Sequence, residues 1–310
     1  MAGSTGDLLP GNDVRAAALG LAGGVSKNTK GILAFLAISF GFAWAGMFGT
    51  HLWLGLSLVN PLVQLPWAFS PAIAAVVVRK WVTKEGFADA GLRFRWRGNL
   101  RWYLISWLGP LALAVVAVVI AAVVGLWRFD LSILDHLVPG LPGWACLAIL
   151  MVVTPLLAPI YWGEEFGWTS YLRLRLWTDR PALSVIATGL IWAIWHYPLA
   201  FLGYIEFTNV TLGLLVWTVS FQFQEILLAW IRVRSGSIWP TSIAHAGNNM
   251  VFSLLTGILL EESGKLDVIT VMLITTAALA LAAVLTVLNR RFRRDLASLS
   301  PTQADAHSRA

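Results

Sequence analysis

Residues 163–173 read GEEFGWTSYLR, and they continue an apolar run that starts at Gly143. A helix needs about twenty apolar residues to cross roughly 30 Å of hydrocarbon, so this run and its two glutamates belong to one membrane span. An ionised carboxylate near mid-bilayer costs about 2.5–3.5 kcal/mol on insertion scales, and such groups face the protein interior with a partner. The rest of the composition agrees with a membrane setting. The 310 residues are 58% apolar and 12% charged, with a mean hydropathy of +0.73, against about a quarter charged in soluble domains. The chain therefore reads as an all-α, polytopic membrane protein. Its seventeen tryptophans suit membrane–water interfaces. A single cysteine, Cys146, excludes an intramolecular disulfide and a cysteine-built metal cluster. Chemistry here must use carboxylate, imidazole or amide groups.

Apolar runs of span length fall near residues 31–49, 62–78, 103–126, 145–170, 182–203, 209–230, 238–259 and 268–288, which predicts eight transmembrane helices. With both termini cytoplasmic, every lysine and arginine except Arg128 and Lys265 lies on the cytoplasmic side, as the positive-inside rule requires. The net charge of +6 then needs no nucleic-acid partner, because cytoplasmic retention and anionic headgroups account for it. Residues 1–30 read as a flexible cytoplasmic arm without a signal peptide. Residues 31–289 read as one transmembrane domain, and 290–310 as a basic, disordered cytoplasmic tail. The stretch GLRFRWRGNLRW in the loop near 79–101 reads as an interfacial segment on the inner leaflet.

Inside the spans the strongly polar groups are few: Glu164, Glu165, His196, Glu225, His245, Asn248 and Asn249. Glu164 precedes Arg173 by nine residues, a depth of about 14 Å from the cytoplasmic end, and His245 lies about 15 Å deep by the same helical rise. His196 reaches as much as about 24 Å, less any non-helical stretch at 177–183. All three can meet in one cavity open to the cytoplasm. His245 and Asn249 share a helix face, whereas Glu164 and Glu165 differ by about 100° and cannot both point at one centre. One glutamate should act and the other support. Trp192 and His196, four residues apart, set an indole beside an imidazole.

These residues resemble a family, the CAAX-protease and bacteriocin-processing (CPBP, or ABI) intramembrane endopeptidases, which include the type II CAAX prenyl endopeptidases. Its three motifs correspond to EEFGWT at 164–169, WAIWH at 192–196 and HAGNN at 245–249, and the core motifs span 160–250. Thr169 stands where the family usually has arginine, and Trp192 where it has phenylalanine. The resemblance implies hydrolysis of a peptide bond in a membrane-associated peptide or protein, within a bacterial plasma membrane. On physical grounds Glu164 would be the base that takes a proton from water, and Asn249 the donor to the oxyanion. Glu165 would orient a neighbouring group. His196 and His245, with Glu164, would hold a divalent metal, zinc by expectation, or else the two histidines would hold the water itself in a metal-free glutamic mechanism. Two other readings compete. A proton- or cation-coupled transporter would use the same residues as a relay, but it calls for an inverted repeat that the sequence lacks. A protease-like binding or immunity protein with weakened catalysis draws on Thr169.

Overall fold

The structure, a computed structural model, describes residues 26–297; most of the expected N-terminal arm and the end of the tail lie outside the described residues. Among these no strand occurs. Seven helices are long and apolar enough to cross a membrane: α1 (Lys27–Trp53), α2 (Pro61–Val82), α3 (Leu100–Val123), α6 (Pro181–Ala200), α7 (Val210–Ser235), α8 (Ile238–Ser263) and α9 (Val268–Leu288). Between α3 and α6, α4 (Gly143–Leu156) and α5 (Ala158–Leu172) form one further span bent by 47°.

The bend has a chemical cause. Pro155 lacks the N–H that would bond to Met151, and its ring disrupts the turn before it. The freed Met151 carbonyl instead accepts from the Trp107 indole of α3 at 2.6 Å, as a membrane interior without water demands. Past the bend, α5 packs between α2 and α8. Gly167 permits that approach, since a β-carbon there would lie 2.2 Å from the Pro71 ring. Gly247 plays the same part where α8 crosses α3, against Pro110.

Two apolar clusters result. One joins α1, α2, α5 and α6 around Phe35, Trp168, Trp192 and Trp195. The other joins α3, α4, α8 and α9 around Ala117, Met151, Leu255 and Ala278. The polar groups of α5, α6 and α8 lie along the seam between them. Large apolar side chains such as Leu62, Val119, Leu215 and Leu285 point outward, toward lipid, where association rests on close packing.

The bundle end that holds the basic loops is tied together by ion pairs. Arg79, fully buried, donates to Asp89 at 2.7 Å and to the Ser170 carbonyl at 2.8 Å. Arg175 reaches Glu85 at 2.6 Å and Asp89 at 3.1 Å, and Arg232 donates to the Asp89 carbonyl. Residues 91–93, expected to lie on the leaflet, are instead docked: their carbonyls accept from Ile238, Trp239 and Ser237. Phe94 and Trp96 of the same stretch remain exposed. Two boundaries also differ from expectation. Helix α1 begins at Lys27, inside the expected arm, and residues Arg290–Ala297, expected to be disordered, form a helix, α10. Phe292 is buried beneath α10 and Arg234 pairs with Asp295, so an amphipathic face docks this segment.

Burial alone would raise the pKa of Asp89, but the hydrogen bond and charge of Arg79, then those of Arg175, outweigh it and hold the carboxyl below its usual 3.8. A group lowered on folding stabilises above its unfolded value and loses that contribution as pH falls through the lowered one. Thermal unfolding in detergent should therefore show a loss of stability below about pH 4 that disappears in Asp89→Asn, a variant less stable than the wild type at neutral pH.

Candidate active site

Glu164 and Glu165 sit on α5 one turn before its wide final turn at Trp168–Leu172. As the 100° phase requires, they point to different partners. Glu165, wholly buried, accepts from His245 Nδ1 at 3.0 Å. Glu164, 9% exposed, accepts from the Trp192 indole N–H at 2.7 Å through Oε2. That indole N–H is a donor that phenylalanine at this position lacks. His196 Nδ1 lies 2.9 Å from the Trp192 carbonyl. A carbonyl only accepts, so Nδ1 carries the proton and Nε2 keeps its lone pair. The same logic, with a carboxylate as acceptor, puts a proton on His245 Nδ1.

The Trp192 ring contacts both imidazoles, with centroids 5.9 Å from His196 and 5.1 Å from His245, edge-on in each case. Tyr161 packs against His245 at 4.9 Å. Asn248 and Asn249 open a wide turn of α8, Asn248–Ser253. The Asn248 side-chain amide donates to Asn249 Oδ1 at 3.2 Å, and the Asn249 side chain is also in hydrogen-bond contact with the Tyr161 hydroxyl. His196, His245, Asn248 and Asn249 all line one cavity of about 300 Å³. Above it, Tyr204 from the 201–209 loop lies within the field of Glu164. Burial first, and that charge second, raise its hydroxyl above the ordinary value, so it stays a protonated donor at neutral pH.

Thr169, fully buried, turns its hydroxyl onto the Glu165 carbonyl at 2.9 Å. The cation absent from 169 is found one helical turn on. Arg173 pairs with Glu225 of α7 at 2.8 Å, with both side chains buried. Glu225, left outside the site by the sequence reading, is thus held directly behind the acting residues. Its separation of 52 residues from Arg173 hides the pair from any local motif.

The structure brings Glu164, Glu165, His196, His245 and Asn249 to one seam. It does not arrange them as a metal site: among the described residues no group of three His, Cys, Asp or Glu side chains is set to hold an ion. Two imidazole nitrogens with well-held second nitrogens suit a metal, but the expected third ligand, Glu164, is turned onto Trp192, and catalytic zinc takes three protein ligands. The cavity extends from His245 and Gln224 past Ser253 and Thr256 to Tyr204, Glu261 and Val268, and a second cavity of about 360 Å³, lined by Asp89, Arg93, Arg95 and Arg232, lies at the end that holds the basic loops.

Residues 142–251, which carry all three motifs, match the family of type II CAAX prenyl endopeptidase Rce1-like proteins. Over that segment the chain is similar to the Rce1-like family. The match supports a CAAX-type membrane protease at the level of the family, and it covers α4 to the middle of α8, the elements that build the seam. A comparison with curated proteins gave no match.

Removing one partner of a buried ion pair strands the other, at a cost of about 3–5 kcal/mol. Arg173→Ala should lower the thermal unfolding midpoint strongly, and Arg173→Ala combined with Glu225→Leu should recover much of the loss. The midpoint in mild detergent checks both.

Proposed function

We propose that this protein is an intramembrane endopeptidase that cleaves a membrane-associated peptide with water activated by Glu164. The observation that carries the reading is the pairing of Glu164 with the Trp192 N–H beside two imidazoles whose Nδ1 atoms are held by the Trp192 carbonyl and by Glu165. One Glu164 oxygen is fixed by the indole, and the other has no hydrogen bond among the described residues. It is the acceptor for a proton of water.

In this mechanism the water oxygen adds to the scissile carbonyl carbon while its proton passes to Glu164. The carbonyl oxygen becomes the oxyanion, which accepts from the Asn249 amide. The C–N bond then breaks, and the proton held by Glu164 passes to the leaving nitrogen, so that one water is consumed and an acid and an amine are released. His196 and His245 orient the water through Nε2. Glu165, Trp192 and Asn248 are positioning residues that hold His245, Glu164 and Asn249 respectively. Water is scarce among the apolar clusters, which strengthens each of these contacts. No step is assigned to a metal, because the carboxylate that would complete the ligand set is the base.

Cleavage of a membrane-peptide library by the purified protein tests the reading. Glu164→Gln should lower kcat by about 10²–10⁴-fold, the usual worth of a general base. Asn249→Ala should lower it by about 10²–10³-fold. Trp192→Phe keeps the ring and removes the donor, and should lower kcat by about 10–100-fold, the value of a hydrogen bond to a charged group, with KM little changed. No cleavage of any peptide, together with a proton or cation flux that depends on Glu164 and His245, would replace the protease with a transporter.

Exhaustive chelation, with metal analysis finding none retained, should leave cleavage intact. Loss of cleavage restored by added zinc would return the metal to His196 and His245.

A further inference from the structure

Arg232, near the end of α7, is buried, yet the groups it bonds to are neutral. Its Nε donates to the Ser170 hydroxyl at 3.3 Å and its Nη2 to the Asp89 carbonyl at 3.1 Å. Among the described residues no carboxylate forms an ion pair with it. A buried charge without an opposite charge is costly, because it has given up its water. Arg232 lines the cavity of about 360 Å³ at the basic end, a volume within the usual range for small-molecule sites, about 300–1,000 Å³. Two glycines with positive φ, Gly91 at +67° and Gly236 at +62°, make that space. A β-carbon at Gly91 would lie 2.4 Å from the Arg232 guanidinium, and one at Gly236 would lie 3.3 Å from that of Arg95.

Arg93 and Arg95 line the same cavity, are exposed, and form no ion pair among the described residues. Asp89 is the only acid in the lining, and it is already committed: Arg79 donates to one of its oxygens and Arg175 to the other. Three arginines therefore share a space whose one carboxylate is spent elsewhere. The backbone that carries two of them is fixed, since the carbonyls of residues 91–93 accept from the start of α8. Glu164, His196, His245 and Asn249 do not line this cavity, so it is separate from the candidate active site.

A guanidinium fork matches the paired oxygens of a phosphate through two parallel hydrogen bonds, and arginine is the usual residue where that geometry counts. Position narrows the class further. Phe94 and Trp96, both exposed, alternate with Arg93, Arg95 and Arg97, and aromatic rings beside basic groups mark headgroup depth. The positive-inside rule sets this end against the leaflet that carries anionic lipid. We propose that the cavity binds a phosphate group, carried by an anionic phospholipid headgroup or free in solution, and held by Arg93, Arg95 and Arg232. A bound phosphate joins the end of α5 through Ser170, the end of α7 through Arg232 and the start of α8 through the docked 91–95 segment. It therefore stabilises the folded bundle by mass action, whatever reaction the active site performs.

Thermal unfolding of the purified full chain in mild detergent tests this. The probes are phosphatidylglycerol, phosphatidylcholine, and inorganic phosphate set against chloride at equal ionic strength. Arg232 is kept, because its hydrogen bonds join helix ends. Arg93→Ala with Arg95→Ala removes two exposed side chains, and Lys27→Gln with Lys30→Gln removes the same charge from a different basic cluster. A probe at tenfold over its dissociation constant should raise the midpoint by about 2–4 °C in the wild type and in the lysine variant. The shift should vanish in the arginine variant. Given by phosphatidylglycerol and not by phosphatidylcholine, it assigns the site to a lipid headgroup; given by inorganic phosphate with no further gain from lipid, it assigns the site to the free ion. No shift from any probe, a shift that phosphatidylcholine matches, or one that the two double variants keep or lose alike overturns the proposal.

Discussion

A carboxylate held in hydrocarbon needs a partner, and the rest of this structure is arranged around satisfying that need three times along one seam. Glu165 meets His245, Glu164 meets Trp192, and Glu225 meets Arg173. Each pair joins two different helices, so the carboxylates tie α5 to α8, to α6 and to α7. The helices themselves are apolar on nearly every side, and a uniform apolar surface specifies no unique mutual orientation in lipid. The polar pairs supply that orientation. They also leave one oxygen of Glu164 without a hydrogen bond among the described residues.

The two departures from the family pattern are resolved by the same economy of partners. With threonine at 169, the hydroxyl is spent within α5 on the Glu165 carbonyl, and the cation is supplied by Arg173, one turn further along and bound to another helix. With tryptophan at 192, the aromatic face that packs the imidazoles is kept while a donor to Glu164 is added.

The asymmetry between the bundle ends follows from what each loop contributes. The segment 83–99 sends Glu85 and Asp89 against arginines from α2, the 173–175 turn and α7, and its carbonyls cap the start of α8. At the other end the short connections 201–209 and 264–267 flank the cavity that His196, His245 and Asn249 line.

Much of this was legible in the residues before any coordinates. The span lengths, the proline-rich middle span and the lone cysteine set the all-α class and the available chemistry, because hydrocarbon thickness and backbone satisfaction leave few alternatives. The 100° step between Glu164 and Glu165 already required that only one of them act, and helix phase put His245 and Asn249 on one face. What sequence could not decide was which distant group meets which. The Trp192 donor, the Arg173–Glu225 pair and the Met151 carbonyl capped by Trp107 each join residues 28 to 52 positions apart, and their existence depends on helix rotation and tilt. Local periodicity sets what each helix presents to its neighbours, and only the packed bundle sets which neighbour is there to meet it.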